Sequence, residues 1–261
     1  MMADLFRSEH RGDALVLWNC NAARRNALSP EYYDGVINGL RRAAEAPEVA
    51  AVVLAGEGGF FCAGGDLTLL KARREMTLEQ RKANIERLHD VIRAIRACPK
   101  PVIAAVEGGA AGAGVSIAMA CDMIVASRLA RFTLAYVKAG LVPDGGATWA
   151  LSRAIPRATL AQMAMMGRPL AAERLHALGV VSDLVPEERA VETALALAAE
   201  IKHGPEGAIA EIKALMNAAE NGGSYEDQLA RERDAMAAAL GGEEARTGIT
   251  AFLNKETPVF R

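Results

Sequence analysis

Four short apolar runs rich in β-branched residues mark the first half of the chain, and helix-like stretches separate them. They are 14–18 (ALVLW), 49–55 (VAAVVLA), 101–106 (PVIAAV) and 122–126 (DMIVA). Runs of this length and content are buried strands. Between them, Pro30 to Ala46 opens with helix-start signals: Ser29 as N-cap, Pro30 at the first helical position and Glu31 in the first turn. Leu78 to Ala97 carries Ile85, Leu88, Ile92 and Ile95 at helical spacing and stops before Pro99. Strands alternating with helices predict an α/β fold with mostly parallel pairing.

Beyond about residue 156 the strand signal fades. Helices are expected over 158–166, 171–178, 189–202, 206–219, 225–240 and 243–253, broken by glycine and proline. The expected organisation is therefore a layered α/β core over residues 1–195, carrying the site, and a helical region over 196–261. Ala-rich helices such as 228–240 bury little alone, so this second region is expected to pack on the core and on a neighbouring subunit.

Composition excludes several classes. The 261 residues carry 30 Lys plus Arg against 32 Asp plus Glu, a net charge of −2. Counterion release on nucleic acid needs clustered basic residues, so none is expected as a partner. Cys20, Cys62, Cys98 and Cys121 show no CxxC spacing and read as reduced thiols of a cytoplasmic protein. Asp4, Arg7 and Glu9 fall where a signal peptide needs an apolar run. Residues 108–121 carry no charge before Asp122 but fall short of the roughly 20 residues a bilayer requires. They predict a tightly packed core helix, and no membrane association is expected. No His, Cys and Asp cluster points to a metal.

Three glycine-rich stretches each lead into a helix: 60–67 (FFCAGGDL), 107–116 (EGGAAGAGVS) and 140–147 (GLVPDGGA). Small residues let a ligand approach the backbone, and helix N-termini offer unpaired N–H groups. Two such groups aimed at one point would hold a developing oxyanion. A phosphate-cradling reading fails because GxxxxGK[ST] is absent and a dinucleotide fingerprint is incomplete.

Four motifs occur in fixed order: Arg25-Asn-Ala-Leu28, Phe61-Cys-Ala-Gly-Gly-Asp-Leu67, Pro99-Lys-Pro-Val-Ile-Ala-Ala-Val-Glu-Gly108 and Ala120-Cys-Asp-Met-Ile-Val-Ala126. Together they resemble the crotonase, or enoyl-CoA hydratase/isomerase, superfamily, nearly from end to end. The resemblance implies a spiral of β-β-α units followed by a helical trimerisation region, in homotrimers or homohexamers. It implies an acyl-CoA thioester as substrate, with coenzyme A entering as part of it and no permanent cofactor. Arg25, Ala27, Leu28, Ala63, Asp66 and Leu67 would border the coenzyme A, and Lys255 would reach it near a subunit interface. The amides of Gly65 and Ala113 would form the oxyanion hole; the family usually has glycine at the second position.

Hydratases of this family use two glutamates, and here those positions hold Ser116 and Tyr136, both expected to line the pocket. Asp144 matches the acid/base aspartate of dienoyl-CoA and ring-type enoyl-CoA isomerases, closest to phenylacetate-pathway isomerases and alternative oxepin-CoA hydrolases. Pro-Asp-Gly-Gly is also a common turn or N-cap, so its spacing alone leaves that alternative open. His89 is a further pocket-lining candidate by resemblance. The leading expectation is a double-bond shift with Asp144 as acid/base. Water addition, as hydration or oxepin-CoA ring opening, and a non-catalytic acyl-CoA-binding role are the alternatives.

Overall fold

The computed structural model describes residues 4–260, so residues 1–3 of the N-terminal segment discussed above lie outside the described part. The chain opens with β1 (Phe6–Arg11), an antiparallel neighbour of β2 (Ala14–Asn19). After α1 (Pro30–Glu45) comes β3 (Ala51–Gly56), parallel to β2. Two helices follow, α2 (Leu67–Arg73) and α3 (Leu78–Ala97), then β4 (Val102–Val106). Next are β5 (Gly109–Ala111), α4 (Ala113–Ala120), β6 (Met123–Ser127) and β7 (Arg131–Thr133). The remaining elements are α5 (Ala147–Ala154), α6 (Arg157–Met166), β8 (Leu170–Ala171), α7 (Ala172–Ala177), β9 (Asp183–Val185), α8 (Ala190–Lys202), α9 (Glu206–Asn221), α10 (Tyr225–Leu240) and α11 (Glu243–Asn254).

The strands form a six-stranded sheet, ordered β1-β2-β3-β4-β6-β9, and a three-stranded sheet, ordered β5-β7-β8. All pairings inside the large sheet are parallel except β1 with β2. Its strands alternate between two cores. Leu15, Leu17, Val52, Leu54 and Ala104 join the helices α1, α3 and α4. Val16, Val53, Ile103 and Val125 pack on the other face against Ala190, Ala194 and Ala198 of α8. Both faces are covered, which explains why these strands read as continuous apolar runs. Each fully buried Val, Leu or Ile side chain contributes roughly 1.5–3 kcal/mol.

The predicted helix starts are present. Ser29 accepts from the Tyr32 amide, and Thr77 and Gln80 form a capping box that opens α3. The expected core helix at 108–121 is instead a short strand, β5, followed by α4, because Gly112 adopts φ 52° and breaks the run. The fading of strand signal after 156 holds less well: β9 adds a parallel strand to the large sheet at β6. A boundary between 195 and 196 falls inside α8, whose apolar face covers that sheet.

The C-terminal helices differ in character. α9 is anchored by buried Lys213, whose Nζ donates to the carbonyls of Ile95 and Lys100 and pairs with Asp122 at 2.7 Å. α10 has no buried residue. No described helix is long and apolar enough to cross a membrane.

Candidate active site

Segment 60–65 lies between two others and is hydrogen-bonded to both through the main chain. Toward the N-terminal segment, Ala63 N–H donates to Arg25 and Leu28 N–H to Gly64. Toward β5, Cys62 N–H donates to Gly109 and Ala111 N–H to Cys62. Approach to the second loop is close: a β-carbon on Gly64 (φ +85°) would lie 2.6 Å from the Ala111 oxygen and 3.1 Å from the Ala113 nitrogen. Gly64 must be glycine on both counts, conformation and space. The pairing places Gly65 and Ala113 on one pocket wall. Ala113 is the first residue of α4, where helix geometry leaves the N–H without an intrahelical acceptor. The Gly65 amide likewise has no acceptor among the described residues.

The pocket encloses about 280 Å³. It is largely apolar, bounded by Ala63, Leu70, Ile85, Leu88, Ala135 and Leu141. Its charged lining residues are Asp144 and Arg73, and Tyr33, Asn84 and Tyr136 supply other polar groups. Leu67 and Val142, 71% and 80% exposed, form an apolar lip.

Asp144 is not a helix cap. α5 begins at Ala147 with Gly146 as its N-cap and no side-chain cap bond. Instead the Asp144 carboxylate accepts from the Tyr136 hydroxyl at 2.7 Å, and the Asp144 carbonyl accepts from Ser116 Oγ at 2.8 Å. Tyr136 comes from the 3₁₀ turn Ala135–Ala139. Burial first, and the neighbouring Asp144 charge second, push its phenol well above the ordinary tyrosine range. It therefore stays a hydrogen-bond donor at neutral pH.

The structure thus brings Gly65, Ala113, Tyr136 and Asp144 into one cavity together with Ala63 and Leu67. Ser116 does not line it. Ser116 is 1% exposed and opens onto a separate recess of about 170 Å³ beside Trp149, behind the Asp144 loop. His89, expected in the pocket, does not line it either. On α3 the pocket face is Asn84, Ile85 and Leu88, and one further residue turns a side chain about 100° round the helix. His89 Nδ1 lies 3.0 Å from Glu86 Oε2 instead.

The residues expected to border coenzyme A divide similarly. Arg25, Ala27 and Leu28 lie on the segment paired with 63–65, and the Arg25 guanidinium sits over the Phe60 ring. Asp66 caps α2 by accepting from Thr68 N–H and pairs with Arg24. Burial acts to raise its carboxyl, but those two partners outweigh burial and hold it below the usual carboxylate range. Lys255 caps α11 in a left-handed conformation, away from the residues lining this pocket. Tyr33, Arg73 and Asn84 escaped the sequence reading. The spacing Leu67, Leu70, Arg73 was the available signal, since every third residue of α2 shares a face.

The profile of the enoyl-CoA hydratase/isomerase family matches residues 18–261. The chain belongs to that family. It is 34% identical to the 1,2-epoxyphenylacetyl-CoA isomerase of Escherichia coli K12 over 91% of this chain and 90% of the relative. It is 33% identical to the 2,3-dehydroadipyl-CoA hydratase of the same organism over 100% and 99%. A crystal structure of an enoyl-CoA hydratase from Polaromonas sp. JS666 superposes with a TM-score of 0.95 at 44% identity, covering 98% and 99% of the two chains. The fold is therefore that of the crotonase superfamily, and the protein is an acyl-CoA enzyme of this family.

Proposed function

We propose that the protein shifts a double bond in an enoyl-CoA, with Asp144 moving the proton. The observation that carries this reading is the pocket's acid inventory: Asp144 is its one carboxylate, held by Tyr136 in the cavity that also contains the Gly65 and Ala113 amides. The thioester oxygen would sit between those two amides. Asp144, through the oxygen not bonded to Tyr136, removes a proton from the α-carbon of a 3-enoyl-CoA. The electron pair spreads into a dienolate whose oxyanion the amides hold. The same proton then returns from Asp144 to the γ-carbon, giving the 2-enoyl-CoA. Stabilisation appears as charge develops, so it accelerates the step more than it tightens binding. One carboxylate serves as base and then as acid.

Ser116 and Tyr136 support this reading over two-carboxylate water addition. Neither is a base at neutral pH, and the Ser116 hydroxyl is engaged with the Asp144 carbonyl and Tyr136 behind the cavity wall. The coenzyme A portion is assigned to the mouth formed by 25–28, 63–67 and, from a neighbouring subunit, Lys255. Exposed Met236, Leu240, Phe252 and Leu253 support self-association through α10 and α11. A homotrimer or homohexamer should sediment accordingly.

The test is a parallel assay with a 3-enoyl-CoA and with crotonyl-CoA. Conversion of the first to its 2-enoyl isomer without hydration of the second is the expected result. Rapid hydration of crotonyl-CoA with no isomerisation would establish water addition instead. If a bound acyl-CoA showed no α-proton exchange by NMR, the protein would be a binding member of the family.

A further inference from the structure

Of the three polar pocket residues with no work in the proton transfer, Asn84 donates to the Gln80 carbonyl, and two are left without such a partner. Tyr33, on α1, is 8% exposed and lines the cavity, yet its hydroxyl has no hydrogen-bond partner among the described residues. Arg73 ends the pocket face of α2 that begins with Leu67 and Leu70, and its guanidinium has no ion pair among the described residues. The two are electrostatic neighbours. Burial pushes the Tyr33 phenol up to about 12, Cys62 and Asp144 add to that rise, and Arg73 and Arg87 oppose it.

A buried donor left unmatched is costly, and an aliphatic chain in this cavity would leave both groups unmatched. A planar guanidinium and a phenol together suit a carboxylate, which can accept two bonds from one and a third from the other. We propose that Tyr33 and Arg73 form a subsite for the far end of the acyl group, and that the enzyme prefers acyl-CoAs ending in a free carboxylate. The proposal rests on the reading of this cavity as the acyl pocket, and names which acyl groups it selects.

Two pairs of esters with equal chain length test it. 3-Hexenedioyl-CoA and 3-hexenoyl-CoA compare turnover; adipyl-CoA and hexanoyl-CoA, which have no double bond to shift, compare binding by titration calorimetry. The wild-type protein should favour the carboxylate-ended member of each pair by about tenfold or more, the scale of a charge-assisted hydrogen bond. Arg73→Gln should bring both ratios close to one, Arg73→Lys should retain part of the preference, and Tyr33→Phe should reduce it. A wild-type ratio near one would overturn the subsite. So would an Arg73→Gln variant that weakened both members of a pair equally, because the guanidinium would then be contacting the coenzyme A common to them. If neither hexene ester turned over while adipyl-CoA still bound more tightly than hexanoyl-CoA, the double-bond shift would fail and the subsite would stand.

Discussion

Segment 60–65 is pinned on both sides by main-chain hydrogen bonds, to Arg25 and Leu28 in one direction and to Gly109 and Ala111 in the other. Asp144 is held by two side-chain hydroxyls, those of Tyr136 and Ser116. The first wall depends on glycines and backbone geometry and tolerates little change in either. The second depends on three side chains, of which Tyr136 and Asp144 lie outside the α-helices and strands. A family can therefore keep the oxyanion wall while exchanging the groups that move protons.

On the proposed double-bond shift, replacing Asp144 should give the largest effect. Asp144→Asn removes the base but keeps a group of the same shape beside the Tyr136 hydroxyl. Turnover of a 3-enoyl-CoA should fall on the order of 10²–10⁴-fold, the usual contribution of a positioned acid or base. Affinity for the ester should stay within a few-fold, measured by calorimetry. Retained turnover would remove Asp144 from the mechanism.

The backbone wall should break at Gly64. In Gly64→Ala the new methyl carbon would meet the Ala111 oxygen at 2.6 Å, from a φ of +85° that alanine rarely adopts. The loops must move apart, carrying the Gly65 and Ala113 amides out of register. A loss on the order of 10²–10³ in kcat is expected, as for removing one oxyanion donor. The two walls then differ in a measurable way. Gly64→Ala should also lower the urea midpoint, because left-handed strain costs about 1–3 kcal/mol, whereas Asp144→Asn should leave it nearly unchanged.

Tyr136→Phe probes the weaker hold on the side-chain wall. Hydrogen bonds to charged groups contribute about 1.5–3 kcal/mol, and only part of that bears on the transition state, so a loss of roughly tenfold in kcat is expected. The loss should fall on kcat more than on ester affinity measured by calorimetry, since the bond orients the proposed proton carrier. Tyr33, Arg73 and Ser116 also face this loop or share its cavity, and they remain in the variant. An unchanged kcat would mean that Tyr136 fills space without acting on Asp144.

The same contrast governs what the sequence made legible. The parallel strands were readable because burial on both faces leaves apolar runs, as in Val49–Ala55. The edge strand β1, with the sequence FRSEHR, was not, since one face and one edge meet solvent. β9 is three residues long, too short for any periodicity. The backbone wall announced itself through Gly64, Gly65 and Gly112, whose spacing is local to their own loops. Asp144 was legible by resemblance, but its partner was not: an eight-residue separation says nothing of a hydrogen bond until the 3₁₀ turn folds Tyr136 back. Tyr33 and Arg73 come together only in the fold, as residues of α1 and α2 that line one cavity. His89 shows the converse error, since a neighbour of a pocket residue on a helix points elsewhere.

Alkaline titration separates the walls through stability, with no change in turnover at neutral pH to read. Cys62, beneath the backbone wall, and Tyr33, on the side-chain wall, are both pushed up to about 12, chiefly by burial. In the unfolded chain the thiol and phenol ionise near their ordinary values of about 8.5 and 10. Above those values the native state holds more protons than the unfolded state, so stability falls as pH rises. The decline should begin near pH 9, steepen above pH 10 and level for these two groups near 12, followed by urea midpoints across that range. Tyr33→Phe should remove the phenol's share, about 1 kcal/mol by pH 11, and leave stability at pH 7 nearly unchanged because the hydroxyl has no partner to lose. Cys62→Ala should remove its own share of the decline from near pH 9, which Cys98 and Cys121 also carry, but should also lower the midpoint at pH 7, since it deletes a buried sulfur that accepts from the Gly64 N–H. Equal behaviour of the two variants at neutral pH would mean that the backbone wall is no more tightly packed than the side-chain wall.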